Sequence, residues 1–299
     1  MRMKLIIECG ATKTDFCLTG ENTDSRFRAA GINLSTTDMD TVSHTVRDAV
    51  SRLNALSSPE MYGEVSDVHF YGAGLVREVP ELEELLRSVF PSARVELASD
   101  LVAASRAVLG NAPGIAAILG TGSNSCLYDG RSVVKNVLPC GYVFGDYGSG
   151  NALGRMFLSD YFQGLMPEEL AGDFRIASGE DYASSVAAVY RGDAPARYLA
   201  SFAPYILSAA GGMLHDGRPC GEETLRYAAA LVKENFRTFI RRCLKQYDTD
   251  TYGVGAVGSF GYAAGNLLVE TAGEENVRIT RIMKSPMDGL IEYHNRYVQ

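Results

Sequence analysis

The sequence of 299 residues predicts an α/β protein of two similar lobes, and three features lead to this prediction. A strand, a short glycine-bearing turn and a second strand occur at the N-terminus and again from Gly114. Each hairpin precedes a third strand and then alternating helices and strands, an order typical of a mixed sheet with helices on both faces. The length suits one large domain or two of ordinary size. We expect them at 1–109 and 110–299, with a closing helix over 286–297 that could pack back on the first lobe.

The first half predicts the element order βββαβαβα. Apolar residues at helical spacing over 38–56 predict the first helix, and Asp38 suits its N-cap. Strands are expected at 3–9, 16–19, 25–31, 67–71 and 94–98, and helices at 38–56, 80–90 and 101–109.

The second half repeats the opening hairpin and then contains more helix. A glycine-rich loop is expected over 138–150. Strands are expected at 115–119, 126–128, 132–137, 254–257 and 277–282, and helices at 151–163, 168–174, 180–190, 196–210, 222–246, 262–271 and 286–297.

Composition excludes several classes of protein. The chain is 46% hydrophobic and 21% charged, which is typical of a globular protein, and its net charge of −8 argues against nucleic acid or an anionic membrane as the main partner. No stretch approaches the roughly 18–20 apolar residues of a membrane span. The six cysteines form no C-x-x-C pair, so we expect reduced thiols in a cytoplasmic protein without a disulfide framework.

Two glycine turns, Gly10–Asp15 and Gly120–Ser125, are the sites at which the chain could approach an anion. Glycine permits close approach of the backbone, and the amides and hydroxyls can donate hydrogen bonds to phosphate. The alternative is two ordinary hairpins, with Lys13 as a solvated surface charge instead of a phosphate ligand. Glu8, at the end of the first strand, could hold Mg²⁺ through water. The Walker A spacing is absent.

Five motifs, in order along the whole chain, resemble the sugar kinases of the actin-like ATPase superfamily. The motifs are IECGATKTD, ILGTGSNS, GDYGSGNALG, AVGSFGYAAGNLL and SPMDGLIEYH. Within that superfamily the chain resembles the N-acetylglucosamine kinase branch of the BadF/BadG/BcrA/BcrD ATPase family. The resemblance implies two RNase H-like lobes with mixed five-stranded sheets. It also implies ATP and a sugar in the cleft between them, with Mg²⁺ on the phosphates.

The resemblance implies roles for individual residues. Asp100 matches the general base, and Glu8 the residue that holds Mg²⁺ through water. The positions matched to ATP are Gly10, Thr12, Lys13, Gly120, Thr121, Gly258 and Ser259. The positions matched to the sugar are Asn33, Ser123, Asn124, Gly141 and Asp146.

Three of these assignments have a structural alternative. Asp100 follows a predicted strand and precedes a helix, so it could be a helix N-cap instead of the base that accepts a proton from the sugar hydroxyl. Asn33 could stabilise a turn, and Asp146 could cap the helix that begins nearby. Recognition of sugar hydroxyls is the functional alternative for both, because paired hydrogen bonds discriminate between sugars.

The chain departs from the family pattern at five positions. Glu8 replaces the usual Asp, and Ala11 replaces a Gly and adds a methyl group near the phosphates. Pro139, Cys140 and Tyr147 replace Gly, Trp and Glu on the substrate side. These last changes leave the use of ATP in place and bear on which sugar is bound.

The leading hypothesis is an ATP-dependent kinase of an amino sugar, N-acetylglucosamine first, that gives the 6-phosphate. One alternative is an activase like other BadF/BadG members, with an iron–sulfur cluster at a dimer interface. Another is a sensor that binds a sugar or cell-wall fragment without turnover. A homodimer is possible on family grounds, and neither a nucleic acid nor a membrane is expected as partner.

Overall fold

The computed structural model describes residues 3–10, 12–20, 23–34, 37–56, 65–75 and 79–297. Two five-stranded mixed sheets with flanking helices confirm the predicted fold class. The chain forms two compact units. Unit 1 contains Met1–Asn111 and Pro286–Gln299, and unit 2 contains Ala112–Ser285.

Unit 1 is built on a sheet with the strand order β3–β2–β1–β4–β5. The first three strands are antiparallel neighbours, whereas β4 and β5 continue parallel to β1. The strands are β1 (Met3–Cys9), β2 (Lys13–Gly20), β3 (Thr23–Ala30), β4 (Val65–Gly72) and β5 (Arg94–Ser99). The helices are α1 (Met39–Leu56), α2 (Pro80–Val89), α3 (Asp100–Leu109) and the closing helix (Met287–Tyr297).

The pleat of β1 gives this sheet two different faces, because successive side chains point to opposite sides. Leu5 and Ile7 enter an apolar core that also contains Val42 and Val46 of α1. The alternate residues, including Glu8, lie on the other face. The closing helix packs there, since Lys4 Nζ donates to the carbonyl of His294 at 2.5 Å.

Unit 2 has a sheet with the order β10–β9–β6–β7–β8. Strands β6, β7 and β8 are antiparallel neighbours, and β9 and β10 continue parallel to β6, so the arrangement repeats that of unit 1. The repetition agrees with the two similar halves expected from the sequence. The strands are β6 (Gly114–Leu119), β7 (Ser123–Tyr128), β8 (Val133–Val137), β9 (Val254–Val257) and β10 (Ile279–Met283).

The helices of unit 2 surround a core that includes Phe157, Phe236 and Phe239. They are α4 (Gly141–Phe144), α5 (Gly150–Gln163), α6 (Glu168–Ser178), α7 (Tyr182–Arg191), α8 (Pro195–Ala200), α9 (Ala203–Ala210), α10 (Glu222–Arg242), α11 (Ser259–Ala263) and α12 (Gly265–Glu274). Across the described ranges, no helix combines the length and apolar character needed to cross a membrane.

Several segments of unit 2 differ from the sequence-based expectation. The glycine-rich loop contains the short helix α4, and the helix expected over 196–210 is interrupted after α8. The Ser201 hydroxyl donates to the Tyr198 carbonyl at 2.6 Å, and a proline, which lacks an N–H, lies in the first turn of α9. The helix expected over 262–271 starts earlier, at Ser259, and is broken at Ala264.

Candidate active site

The β1–β2 turn brings three predicted nucleotide residues together. The Gly10 amide donates to the Lys13 carbonyl at 2.9 Å, which closes the turn around Thr12. Lys13 Nζ donates to Asp15 Oδ2 at 2.7 Å, although the Lys13 side chain is 37% exposed. A phosphate contact would therefore share this ammonium group with Asp15. Ala11 lies outside the described residues.

Glu8 lies directly opposite Asp15 in the antiparallel register. Asp15 also accepts a hydrogen bond from Arg28 at 2.7 Å. Burial alone would raise the pKa of Asp15, but the bonds from Arg28 and Lys13 outweigh it and lower this pKa. Burial raises the pKa of Glu8 to about 7, and the neighbouring carboxylates of Asp15 and Asp100 add to the rise while Lys13 opposes it.

The Glu8 carboxyl group is the candidate ligand for Mg²⁺ in unit 1, because both oxygens of Asp15 already accept hydrogen bonds from Lys13 and Arg28. This ion prefers carboxylate and water oxygens and keeps several of its waters. Because the raised pKa shows that ionised Glu8 is poorly compensated, a nearby cation would favour the charged form. The donor set thus agrees with the role that the family resemblance implies for Glu8.

Asp100 is the first residue of α3, which follows β5 without an intervening residue. Ser99 occupies the N-cap position, and its hydroxyl accepts from the Val102 amide at 3.4 Å. Asp100 Oδ1 accepts from the Leu101 amide at 2.9 Å. Burial raises the pKa of Asp100 to about 6, and the backbone bond from Leu101 opposes the rise. Ser99, and not Asp100, is therefore the N-cap of α3.

Asn33 lies in a turn beside the end of β4. Its backbone forms a bridge with Ala73, and its backbone N–H donates to Thr37 Oγ1 at 3.1 Å. Since β1, β4 and β5 are parallel, their carboxyl ends meet at one edge of the sheet. The structure therefore brings Glu8, Asn33 and Asp100 to the same edge of unit 1, the edge at which α/β proteins bind ligands.

In unit 2, the turn between β6 and β7 is held by the start of α5. The Gly120 amide donates to the Gly122 carbonyl at 3.0 Å. The Gly150 N–H donates to the Gly120 carbonyl at 2.9 Å, and the backbone N–H of Asn151 donates to the Thr121 carbonyl at 3.0 Å. With these carbonyls paired, the conformation of the turn is fixed before any ligand binds.

Asp146 connects the glycine-rich loop to this turn. Its Oδ2 accepts from Asn151 Nδ2 at 2.8 Å and its Oδ1 accepts from the Ser123 amide at 3.4 Å. Burial raises the pKa of Asp146, and the bond from Asn151 opposes the rise. The N-cap of α5 is Ser149, whose hydroxyl accepts from the Ala152 amide at 3.2 Å. Asp146 therefore does not cap this helix.

Gly258 places the end of β9 against the same turn. Its φ of 132° is unfavourable for other residues, and an added Cβ would lie 2.2 Å from the Leu119 carbonyl oxygen and 3.0 Å from the Gly120 nitrogen. Ser259 follows as the first residue of α11. Gly120, Thr121, Gly258 and Ser259, all predicted on the nucleotide side, therefore lie together in unit 2.

Two predicted sugar residues, Asn124 and Gly141, lie outside the turn that Asp146 contacts. Asn124 lies within β7, where its Oδ1 accepts from Asn136 Nδ2 at 2.8 Å, so its side chain is already engaged within the sheet. Gly141 has a φ of 65° and follows Cys140, which has a φ of 62°. Gly141 is linked to the loop by its carbonyl, which accepts from the Gly145 amide at 2.8 Å.

Three side chains in these arrangements were not predicted from the sequence: Asp15, Asn151 and Asn235. Asn235 Oδ1 accepts from the Gly148 amide at 2.9 Å, and its Nδ2 donates to the Ser149 carbonyl at 3.0 Å. Asp15 and Asn151 fall inside the quoted motifs, which could have drawn attention to them. Asn235 is a polar residue on the apolar face of the long helix α10, and that position is the signal it offers.

No family model and no curated protein matches the chain. Among solved structures it is similar to a candidate N-acetylglucosamine kinase from Porphyromonas gingivalis, with 35% identity over 99% of this chain and 100% of that chain and a TM-score of 0.87. A second candidate N-acetylglucosamine kinase, from Chromobacterium violaceum, has 20% identity over 98% and 99% of the two chains and a TM-score of 0.70.

A third solved structure is more distant. It is a ROK family glucokinase from Streptomyces griseus in complex with glucose and AMPPNP, with 14% identity over 98% of each chain and a TM-score of 0.61. The second and third likenesses extend to the fold alone. The first covers both chains from end to end at an identity that indicates common descent.

Proposed function

Because this chain belongs to the N-acetylglucosamine kinase-like sugar kinases of the actin-like ATPase superfamily, we propose that it phosphorylates an amino sugar at the expense of ATP. N-acetylglucosamine is the first candidate, with its 6-phosphate as product. The observation that carries the proposal is the state of Asp100. It is a half-buried carboxyl group at the ligand-binding edge of a parallel strand, and a neighbouring serine takes over the capping role that would otherwise explain it.

Asp100 has the properties expected of the general base. The sugar oxygen attacks the γ-phosphorus, the bond from that phosphorus to the oxygen of the leaving ADP breaks, and Asp100 accepts the hydroxyl proton. A base is most effective when its pKa lies near the working pH. Burial, which raises the pKa of Asp100 to about 6, therefore makes this carboxylate a stronger base that is still ionised near neutrality.

The phosphates of ATP are assigned to the two glycine turns. In unit 1 these residues are Gly10, Thr12 and Lys13, and in unit 2 they are Gly120 and Thr121. Gly258 and Ser259 are assigned to the adenosine. Backbone amides and hydroxyls that are fixed in advance lose little freedom when they bind an anion. The bonds that α5 forms with the carbonyls of the unit 2 turn support such a role.

Mg²⁺ is the proposed cofactor, with Glu8 as its residue in unit 1. Glu8 would hold it through water, and the ion would neutralise charge on the transferring phosphoryl group. Glu8 must ionise to do so. Its pKa of about 7 makes proton loss from this residue a requirement of metal binding near neutral pH.

The sugar is assigned to Asn33 in unit 1 and to Ser123, Asn124, Gly141 and Asp146 in unit 2. Asp146 is the strongest of these candidates, because its buried carboxylate can accept hydrogen bonds from sugar hydroxyls. Cys140 and Tyr147 flank this part of the loop. The ring of Tyr147 stacks under the Arg242 guanidinium at 5.0 Å, an arrangement that the family's usual Glu would not give.

Three further assignments go with the proposal. The order of the motifs supports membership of the BadF/BadG branch. The six free cysteines and the use of ATP support a cytoplasmic location. Exposed apolar side chains on unit 2, among them Phe144, Tyr182 and Tyr190, support a homodimer.

The test is ADP release against a panel of sugars, with wild-type protein and Asp100→Asn in parallel. The panel contains N-acetylglucosamine, N-acetylmannosamine, glucosamine, glucose and anhydro-muramic acid. Turnover that depends on one sugar and falls by at least about 100-fold in Asp100→Asn supports the kinase and names its substrate. Sugar binding by calorimetry without ADP release would instead support the sensor.

A further inference from the structure

The helix that carries Asp100 is fixed to the sheet by a half-buried arginine near its other end. Arg106 Nη2 donates to Glu96 Oε1 at 2.8 Å, and Arg106 Nη1 donates to the Tyr71 hydroxyl at 2.7 Å. Glu96 lies on β5 and Tyr71 on β4. One guanidinium group therefore ties α3 to two neighbouring strands.

The closing helix completes this arrangement from the other side. His294 Nε2 is 2.7 Å from the Tyr71 hydroxyl, and the His294 side chain is fully buried. A Cβ added at Gly289 would lie 2.5 Å from the Ala107 carbonyl oxygen, so the closing helix and α3 are in direct backbone contact. Movement of α3 away from the sheet would disrupt its contact with the closing helix as well as the hydrogen bonds of Arg106.

The geometry of the chain transmits this restraint to Asp100. Strand β5 ends at Ser99 and α3 begins at the next residue, so strand and helix form a V with Asp100 at its apex. Glu96 lies on the strand arm and Arg106 on the helix arm, about 9 Å along the helix axis from Asp100. The ion pair between the two arms therefore holds the angle at the apex.

The groups that face Arg106 keep the ion pair charged. Burial alone would raise the pKa of Glu96, but hydrogen bonds from His69 and Arg106 outweigh it and lower this pKa to about 2. Burial and the adjacent His69 ring lower the pKa of His294 to about 2, so its imidazole is neutral. The remaining neighbours are Lys4 and the ring of Tyr293, which lies 5.0 Å from the guanidinium carbon.

We propose that Arg106 is a positioning residue for Asp100: by clamping α3 to Glu96 and Tyr71, it sets the direction in which the carboxylate of the base points. The inference rests on the proposed function, because it takes Asp100 as the base. An ion pair that is partly removed from water adds little net stability compared with apolar packing of the same volume, and it is better suited to fixing a geometry. A base displaced by about 1 Å can lose 100-fold in rate.

The experiment compares Arg106→Met with a variant matched for stability. Val46→Ala removes buried methyl groups from the opposite face of the sheet and leaves the ion pair intact. If Arg106 positions the base, Arg106→Met lowers kcat by about 10-fold or more and leaves KM for ATP within about two-fold. Val46→Ala lowers the melting temperature and leaves kcat unchanged. Arg106→Lys, which can still reach Glu96, recovers part of the loss.

A second readout does not need turnover. The Asp100 carboxyl is titrated by carbon NMR in each variant, with Asp100→Asn to assign its signal. Arg106→Met also removes a positive charge, so Glu96→Gln, which breaks the same ion pair by removing the negative charge, is titrated beside it. A midpoint that moves in the same direction in both variants, but not in Val46→Ala, reports a displaced carboxylate. If Arg106→Met does not fold, Glu96→Gln takes its place.

Unchanged kcat together with an unchanged midpoint overturns the inference, and so does an equal change in Val46→Ala. If no sugar gives turnover in the wild type, the proposed function fails. The titration then decides the positioning role by itself, and an unchanged midpoint again overturns it.

Discussion

Glu8 and Asp15 face each other across β1 and β2, and the two neighbouring cations, Lys13 and Arg28, both bond to Asp15. One carboxyl of the pair is therefore charged and compensated, whereas burial raises the pKa of the other to about 7. Two carboxyl groups that are direct register partners thus have different protonation behaviour, and the less compensated one lies where the resemblance places a metal.

Glu8→Gln is expected to stabilise the protein above neutral pH. The pKa of Glu8 is about 7 in the folded protein against an ordinary value of 4.5, so between these values the native state binds more proton than the unfolded state. Wild-type stability therefore falls as pH rises through this window, by about 3 kcal/mol from this residue, and the amide has no proton to lose. Urea unfolding should show that the free energy of unfolding of Glu8→Gln exceeds that of the wild type by a small amount at pH 5 and by a large amount at pH 8. An equal advantage at both would contradict the raised pKa.

Asp146→Asn is expected to weaken binding of the sugar and leave ATP unaffected. The amide keeps one acceptor oxygen instead of two, so either Asn151 or the sugar loses a hydrogen bond. We expect KM for the sugar to rise by about 10- to 100-fold. Asp160→Asn is the matched control, because Asp160 accepts from the Tyr227 hydroxyl elsewhere in unit 2. Equal effects of both variants on KM would show that Asp146 has no special part in binding.

Gly258→Ala is expected to destabilise unit 2 strongly. An alanine would have to adopt a φ of 132° and place its Cβ 2.2 Å from the Leu119 carbonyl oxygen, so the end of β9 must move away from the turn. We expect a loss of at least about 2 kcal/mol, measured by thermal unfolding. Gly273→Ala in helix α12 meets nothing within 4 Å and should raise stability by about 0.5–1 kcal/mol. A neutral Gly258→Ala would contradict the close approach.

Cys140 is expected to react first with a thiol reagent. It is exposed, whereas Cys220 is half-buried and the other four cysteines are buried. Burial raises the pKa of Cys17 to about 12 and that of Cys243 to about 11, which suppresses their thiolates. Absorbance with a chromogenic disulfide should show one fast thiol that Cys140→Ser removes. Because Cys140 belongs to the proposed wall of the sugar pocket, the bound sugar should slow this phase, and a rate unchanged at saturating sugar would argue against that placement.

The parts of the fold that could be predicted are those with a strong local signal. The bounds of β1 and β9 were predicted to the residue, because each is an apolar run that ends beside glycine. Glu8 and Asp100, at the edge of the unit 1 sheet, could be found because they lie at the ends of predicted strands. Their roles in catalysis and metal binding stay predictions.

What could not be predicted depends on contacts between distant residues. Helix α4 has no amphipathic pattern, and it is held by contacts from Arg155 to the Tyr142 and Val143 carbonyls. Strand β7 starts at the polar Ser123, not at Cys126 as expected. Ser123 and Ser125 are buried by their neighbours in the fold, which the sequence pattern does not indicate. The choice of Ser99 as the helix cap depends on the exact point at which β5 ends.

The return of the closing helix to unit 1 has a consequence for synthesis of the chain. Tyr71 leaves the ribosome 223 residues before its buried partner His294. During that interval the nascent unit 1 holds Tyr71, His69 and Arg106 on a sheet face that its last helix has not yet covered. Unit 2 is by then entirely synthesised and can fold first. The N-terminal half of the protein is therefore the last to mature, the reverse of the usual order of co-translational folding.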